Sequence, residues 1–199
     1  MFDNFTKNTE VCMHYSAIKT KDITNGPGVR VSLFVSGCTR HCNGCFNKET
    51  WSFTNGKIFD NETMDKLLFE ASFDYIDGLS ILGGEPFESV NILTVDAIID
   101  VFKKQYPNKD IWIWSGFTYE ELVEKSLNEA YVGDVLSKCD VLVDGPFIEE
   151  KKDLLLRFRG SSNQRIIDLN KSYVKKAPAW VSHDPVEWHD ALIYDKRIW

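Results

Sequence analysis

The stretch "NGPGVRVSLFVSGCTRHCNGCFNKETWSF", residues 25–53, joins a candidate strand directly to a cluster of three cysteines. The segment from Arg30 to Ser36 is rich in valine and has glycines on both sides, a pattern typical of a buried strand. The cysteines follow in a loop with the spacing Cys-x3-Cys-x2-Cys, and no fourth cysteine lies nearby. The sequence therefore predicts three thiolates at the carboxyl end of a strand.

Helix-like and strand-like segments alternate along the chain after this stretch. Apolar side chains recur at helical spacing in three segments, and short apolar runs bounded by turn residues separate these segments. The predicted helices cover residues 61–72, 89–106 and 118–127, and Asn61 is the predicted N-cap of the first. The further predicted strands cover residues 78–84, 110–116, 140–147 and 164–169.

This alternation predicts an α/β fold with parallel pairing and right-handed crossovers, either an open sheet or an open barrel. Every candidate motif follows a strand. Because the carboxyl ends of parallel strands meet at one edge, we expect the motifs to form one shared site. We assign residues 1–168 to one domain. Residues 169–199 mix prolines and tryptophans without a sustained period, so we expect an irregular tail packed on the domain or on a partner.

Composition narrows the class of protein. A chain of 199 residues that is 43% hydrophobic can bury one sizeable core. The formal net charge of -7 and the lack of a Lys/Arg block argue against nucleic acid or an anionic membrane as the partner. We find neither a secretory signal nor an apolar stretch long enough to span a bilayer, and expect a soluble, cytoplasmic protein. Five cysteines, mostly clustered, indicate metal ligation or thiol chemistry rather than a disulfide framework.

The number of local thiolates separates two kinds of metal site. Structural zinc needs four protein ligands, and the candidates for a fourth are His41, which is adjacent to Cys42, and the distant Cys12 and Cys139. A 4Fe-4S cluster is cubic, so three cysteines can hold three irons and leave the fourth open to a small molecule. We expect Cys12 and Cys139 to be ordinary thiols that pack like small hydrophobic side chains.

Two separated motifs carry a resemblance to a known superfamily. The run Cys38-x3-Cys42-x2-Cys45 is similar to the signature of the radical S-adenosylmethionine (SAM) superfamily, and "GGEP", Gly83 to Pro86, is similar to its glycine-rich SAM-binding motif. Residues 25–53 resemble the activating enzymes of glycyl-radical proteins. Together with "RFRGSSNQRIIDL", residues 157–169, they most resemble the family that activates the anaerobic ribonucleoside-triphosphate reductase.

The resemblance implies a fold, two cofactors and two partners. The fold is an incomplete (β/α) barrel of the radical SAM type. The cofactors are a 4Fe-4S cluster held by Cys38, Cys42 and Cys45, and SAM, which is cleaved by one electron to methionine and a 5′-deoxyadenosyl radical. The partners are the glycyl-radical subunit of the anaerobic reductase and a one-electron donor such as flavodoxin or ferredoxin. No catalytic residue beyond the cluster ligands is implied.

Residues near the ends of the predicted strands are candidates for binding SAM. A turn alone would explain Gly83 and Gly84, but their position favours close approach of the backbone to the methionyl amine. For Asp144, a turn-forming role and a binding role remain equally open. Arg30 and the arginines 157, 159 and 165 are further candidates near the site or for the partner chain. The candidate SAM-binding residues are Phe46, Asn47, Gly83, Gly84, Glu85, Ser115 and Asp144.

Other functions remain open at this point. One is a small-molecule radical SAM enzyme such as a 7-carboxy-7-deazaguanine synthase-like protein, and another is an activase of a different glycyl-radical enzyme such as pyruvate formate-lyase. A third is a non-catalytic zinc or iron-sulfur binding module. The chain's length favours a protein substrate, because it is too short to close a full eight-unit barrel of about 250 residues.

Overall fold

The computed structural model describes residues 12–174, which form one seven-stranded sheet and five α-helices. The strands are β1 (His14–Asp22), β2 (Arg30–Val35), β3 (Lys57–Ile58), β4 (Gly78–Gly83), β5 (Asp110–Trp114), β6 (Val141–Asp144) and β7 (Arg165–Asp168). The helices are α1 (Asn61–Ala71), α2 (Ile92–Gln105), α3 (Tyr119–Ser126), α4 (Ala130–Lys138) and α5 (Leu169–Val174), with 3-10 turns at Lys48–Trp51 and Glu149–Lys151.

The centre of the sheet is parallel and its edges are antiparallel. The strand order is β3-β1-β2-β4-β5-β6-β7, and β2, β4, β5 and β6 pair in parallel. The predicted α/β class is confirmed. The expectation of parallel pairing is wrong for β7, which runs antiparallel to β6, because no α-helix crosses between these two strands. The antiparallel strands β1 and β3 on the other edge were not predicted.

Alternation along the strands gives the sheet two different faces. On β2, Val31 and Leu33 belong to the main core, which also contains buried side chains of helices α1 to α4. The alternate residue Phe34 lies on the opposite face, where it lines a cavity with Leu82 of β4 and Trp114 of β5. Helices therefore cover one face of the sheet, and the other face is left for a site.

Two helices begin at residues that differ from the prediction. Helix α1 is capped by Asp60, whose carboxylate accepts a hydrogen bond from the Thr63 amide at 2.8 Å, so the predicted cap at Asn61 is wrong by one residue. Helix α2 begins at Ile92 rather than at residue 89, because the Glu88 carbonyl accepts the amides of Asn91 and Ile92 and closes a turn first. This turn lies beside the cysteine loop.

Arg30 lies at the amino end of β2, away from the cysteines. Its guanidinium is fully buried and donates to the Ser80 hydroxyl at 2.7 Å and the Leu79 carbonyl at 2.9 Å. It also pairs with the Asp110 carboxylate at 2.6 Å. The expectation of a role near the site is therefore corrected: Arg30 ties three parallel strands together at the opposite end from the cysteines.

The last described element of the chain is the short helix α5. Helix α5 covers the first six residues of the predicted tail, and Leu169 is buried with its amide donating to the Asp140 carbonyl at 2.9 Å. Residues 175–199 lie outside the described residues, so the division into a domain over 1–168 and a tail over 169–199 stays a prediction. Across residues 12–174, the helices fall short of the length and apolar character that crossing a membrane requires.

Candidate metal centre

The cysteine loop leaves the carboxyl end of β2 and folds back on the 3-10 turn that follows it. The Gly37 amide donates to the Thr50 carbonyl at 2.7 Å, and the Cys38 amide donates to the Trp51 carbonyl at 3.2 Å. Gly37 has φ +95°, and a β-carbon there would lie 2.3 Å from the ring of Phe53. Glycine is therefore required where the strand turns into the loop.

A turn before helix α2 supports the loop from the other side. The Glu88 carboxylate accepts the Thr39 amide at 2.7 Å and the Thr39 hydroxyl at 2.6 Å. The buried Asn91 side chain donates to the carbonyls of Ser36 at 3.0 Å and Glu85 at 2.9 Å. Sequence reasoning missed Glu88 and Asn91, because polar residues before a helix have the same pattern when they are only caps.

The three thiols line one cavity of about 610 Å³ on the helix-free face of the sheet. The cavity therefore brings together the cysteine motif, the glycine-rich motif and the end of β5, as the shared-site prediction requires. The predicted site residues that line it are Cys38, Cys42, Cys45, Phe46, Asn47, Gly83, Gly84, Glu85, Ser115 and Arg159. Lining residues that sequence reasoning did not select include Lys19, Phe34, Arg40, Trp51 and Trp114.

The arrangement of the thiols does not match a site for a single ion. Within residues 12–174, no group of three or more His, Cys, Asp or Glu side chains could hold one metal ion. The ring of His41 packs against Trp51 in a tilted arrangement with centroids 4.6 Å apart, and Cys139 is buried in the main core. Three thiolates that each bind a different iron do not need to converge on one point, so the geometry fits a cluster better than zinc.

The environment of Cys38 also suits a metal-bound thiolate. Burial raises the pKa of the Cys38 thiol to about 11, whereas hydrogen bonds from the backbone amides of Arg40 and His41 act in the opposite direction. The Asn47 amide points at the Cys45 sulfur at 3.4 Å. Amide donors favour the deprotonated sulfur that iron binds, but at Cys38 burial outweighs them, so a bound metal would be what keeps this thiol deprotonated.

Contacts within the protein already explain why the residues at positions 83 and 84 are glycines, without any ligand. A β-carbon on Gly83, which has φ +107°, would lie 2.7 Å from the Val35 carbonyl oxygen. A β-carbon on Gly84 would lie 2.6 Å from the carbonyl oxygen of Gly37. Both glycines line the cavity, but each is also required for the close contact of β4 with β2 and the cysteine loop.

Glu85 is a fully buried carboxylate at the inner wall of the cavity. It accepts hydrogen bonds from the Gly116 amide at 2.7 Å, the Phe87 amide at 3.0 Å and the Ser115 hydroxyl at 3.0 Å. Burial raises the pKa of Glu85 to about 7 in spite of these three donors. Within residues 12–174 no lysine or arginine forms an ion pair with it. The carboxylate therefore favours a cationic group in the cavity.

The structure does not bring Asp144 to the cavity. Its carboxylate is buried, accepts the Tyr119 amide at 2.7 Å at the start of α3, and pairs with the guanidinium of Arg165. Arg165 also pairs with Glu120 at 2.6 Å. These contacts link β6, β7 and α3 and include none with the Gly145-Pro146 turn, so they match neither of the two roles expected for Asp144. Because Asp144 is absent from the cavity lining, its contact with SAM stays a prediction that this structure does not support.

The remaining two arginines of the "RFRGSSNQR" segment differ in position. Arg157 is exposed, whereas Arg159 lines the cavity and donates to the Gln164 carbonyl at 2.7 Å. The Arg159 Nε atom is buried without a hydrogen-bond partner among the described residues. Arg159 therefore places a cation with a free donor at the cavity wall.

Comparison with known proteins identifies the family. The 4Fe-4S single cluster domain family matches residues 24–167. The chain is 40% identical over 156 residues to the anaerobic ribonucleoside-triphosphate reductase-activating protein of Vibrio cholerae. The aligned region covers 77% of this chain and 97% of that protein. The chain is 38% identical over 154 residues to the proteins of that name from Enterobacteria phage T4 and Escherichia coli K12, covering 77% and 76% of this chain and 93% and 96% of theirs. The chain therefore belongs to the family of anaerobic ribonucleoside-triphosphate reductase-activating proteins and contains its 4Fe-4S domain.

Proposed function

We propose that this protein is a radical SAM activase that generates a glycyl radical on an anaerobic ribonucleoside-triphosphate reductase. The observation that carries the proposal is the shared cavity of the three thiols and the "GGE" segment Gly83–Glu85 in a chain of this family. The names of the relatives support the reductase as the target and offer no support for a small-molecule substrate or for another glycyl-radical enzyme.

The fold supports an incomplete barrel of the radical SAM type. Strands β2, β4, β5 and β6 are parallel, their helices cover one face, and the cavity occupies the other. In this arrangement the face with the cavity is the interior of the partial barrel. An unclosed barrel leaves a side through which a polypeptide can enter, which agrees with a protein substrate.

Cys38, Cys42 and Cys45 would hold the cluster and leave one iron without a protein ligand, where SAM could bind. With both bound, the cluster would supply the one electron that cleaves SAM to methionine and a 5′-deoxyadenosyl radical, and this radical would take the α-hydrogen atom of the target glycine to give 5′-deoxyadenosine and a glycyl radical. The protein's own contribution is to orient these groups and to exclude water.

Residues of the cavity supply charges that match SAM. Glu85 lacks a cationic partner among the described residues, and the α-ammonium group of SAM is a cation of the kind that would compensate it. Arg159 lines the cavity and offers a positive charge to the SAM carboxylate or to a carbonyl of the target chain. We assign Phe46, Asn47 and Ser115 to the walls of the SAM site, where they line the same cavity.

The partners follow from the reaction. The cluster needs a one-electron donor, and we expect flavodoxin or ferredoxin to serve. We also expect the protein to work in the cytoplasm, together with this donor and the reductase. Because the glycyl radical is delocalised and the primary alkyl radical is not, hydrogen transfer is favourable once the reacting carbons are in contact. Positioning of the target glycine then limits the rate.

The test is SAM cleavage by the reconstituted protein under anaerobic conditions. With iron, sulfide and a chemical reductant, we expect methionine and 5′-deoxyadenosine to form, and we expect addition of SAM to change the electron paramagnetic resonance spectrum of the reduced cluster. A protein that takes up zinc in preference to iron, or whose reduced cluster does not respond to SAM, would contradict the proposal.

A further inference from the structure

A loop at the entrance of the cavity exposes two large apolar side chains. This mouth loop, residues 153–160, is closed at its base by the Asp153 amide donating to the Gly160 carbonyl at 3.3 Å. It presents Leu154 and Leu155, which are 81% and 92% exposed. These exposed fractions are higher than those of every other large hydrophobic residue that the structure describes. Neither leucine contributes to the core, so the fold itself does not explain them.

The mouth loop has a fixed position on the sheet. Phe158 has φ +60°, an uncommon conformation for a phenylalanine. Its carbonyl accepts the Trp114 indole N–H at 2.8 Å, and its ring packs edge-on against Trp112 with centroids 5.4 Å apart. At the base of the loop, the Asp153 carboxylate also accepts the Leu155 amide at 2.8 Å. The loop therefore presents its leucines from an ordered base, which lowers the entropy cost of binding.

The exposed surface is continuous with the cavity. Leu154 and Leu156 line the cavity that contains the three thiols, whereas Leu155 does not. Phe46, which follows the third cysteine, also lines the cavity and is 56% exposed. Leu154 and Phe46 are thus exposed side chains of the cavity lining, and Leu155 is next to Leu154, so a polypeptide segment that enters the cavity beside them can contact all three.

The base of the mouth loop carries two adjacent lysines in a chain with a formal net charge of -7. Neither Lys151 nor Lys152 forms an ion pair with any residue that the structure describes. The Lys152 ammonium lies 4.8 Å from the centre of the Phe46 ring. The two lysines lie between the acidic residues Glu149 and Glu150 on one side and Asp153 on the other, so the lysines offer a carboxylate a local contact beside the apolar side chains and do not make the entrance positive as a whole.

We propose that the mouth loop is the docking surface for the segment of the target protein that flanks the reacting glycine. An apolar side chain of that segment packs against Leu155, and a carboxylate approaches Lys151. This assignment rests on the proposed function, because it takes the target to be a protein.

The experiment compares Leu155→Ser with Leu127→Ser in the full-length protein with its cluster reconstituted. Leu127 is 63% exposed, follows helix α3 and does not line the cavity, so it is a matched control. The dissociation constant for the anaerobic reductase of the same organism is measured by calorimetry, and SAM cleavage with a chemical reductant is measured without the reductase. A Lys151→Glu protein tests the charge in the same way.

We expect Leu155→Ser to weaken binding of the reductase about ten-fold and to leave reductase-free SAM cleavage unchanged. Leu127→Ser should bind like the wild type. Binding of Leu155→Ser within about two-fold of the wild type would overturn the docking assignment, and unchanged binding of Lys151→Glu would remove its charged component. A wild-type protein that cleaves SAM but never forms a radical on the reductase would instead contradict the proposed function.

Discussion

The chemistry of single residues decides which thiols can hold a cluster. Cys38, Cys42 and Cys45 line the cavity, whereas Cys12 lies exposed before β1 and Cys139 is enclosed in the core. Burial also raises the pKa of Cys139, and a buried thiol of this kind is inert. Cys12 is exposed but does not line the cavity, so the three clustered cysteines are the described thiols that can share one cluster there.

Replacement of any one clustered cysteine by alanine should abolish the cluster and with it SAM cleavage. In the proposed cluster each thiolate would hold a different iron, and two protein ligands would be too few to retain it. The measurement is iron and sulfide content after anaerobic reconstitution, together with 5′-deoxyadenosine formation. Cys12→Ala and Cys139→Ala are the controls and should keep both, and loss of the cluster in either control would show that the three-cysteine assignment is wrong.

Glu85 should give the cluster-free protein a characteristic dependence of stability on pH. Burial raises its pKa in the folded state from 4.5 to about 7, so the folded protein holds this proton more tightly than the unfolded chain. The resulting stabilisation is fully present below pH 4.5 and is lost as the pH rises to about 7, at about 1 kcal/mol per pH unit.

The measurement is urea unfolding of the wild type and Glu85→Gln between these two pH values. A glutamine cannot titrate. Its side-chain NH₂ group would face a backbone N–H that now donates to the Glu85 carboxylate, and two donors cannot form a hydrogen bond, so the variant should be less stable overall. The advantage of the wild type should shrink as the pH rises. A constant difference in unfolding free energy across the range would disprove a raised pKa for Glu85.

At the scale of elements, the strand ends and the turns after them build the site by close backbone contact. The glycine pair at the end of β4 lies against β2 and the cysteine loop, and the Glu88 carboxylate fixes the same loop through Thr39. Backbone atoms at these distances leave no room for a side chain. The cysteine loop and the turn before α2 should therefore be ordered or lost together.

Gly84→Ala should lower both thermal stability and iron content. Its β-carbon would lie 2.6 Å from the Gly37 carbonyl oxygen, one residue before the first cysteine, so the cysteine loop must move. Gly133→Ala in α4 is the matched control, because the nearest atom to its β-carbon lies at an ordinary 3.6 Å and alanine stabilises a helix by about 1 kcal/mol. Calorimetry and iron analysis measure both effects, and a Gly84→Ala protein with normal iron and a normal melting temperature would refute the steric argument.

Elements with a strong local pattern were predictable from the sequence, and those that depend on distant partners were not. The parallel strands are apolar runs between turn residues, so they were found. Strand β1 was missed because it is half-buried, contains lysines, and changes register twice against β2, which breaks the alternation. Helix α4 was missed because Gly133 and Asp134 interrupt its apolar pattern.

The difference between local patterns and distant partners also explains which site residues could be predicted from the sequence. The spacing of the cysteines and of "GGEP" is local, so the sequence places them correctly in one cavity. The partners of Asp144 lie 21 and 25 residues away at Arg165 and Tyr119, and those of Arg30 lie on two other strands. Sequence alone does not show whether a polar group at a strand end faces a cavity or a neighbouring element.

At the scale of the whole molecule, the fold separates stability from chemistry. Helices α1 to α4 and one face of the sheet form the main core, whereas the other face carries the thiols, Glu85, Arg159 and the mouth loop. The exposed Leu154 belongs to the lining of the cavity, and the exposed Leu155 follows it in the mouth loop. This organisation suits a protein that holds a reactive group at the end of a cavity and receives part of another polypeptide.

The most direct test of this account is radical transfer to the target. The reduced protein, SAM and the anaerobic reductase of the same organism are mixed without oxygen, and electron paramagnetic resonance is recorded. We predict the doublet of a glycyl radical, which should disappear when the reductase glycine that carries the radical is changed to alanine. The absence of a doublet, with SAM cleavage coupled instead to a small-molecule product, would contradict the central claim.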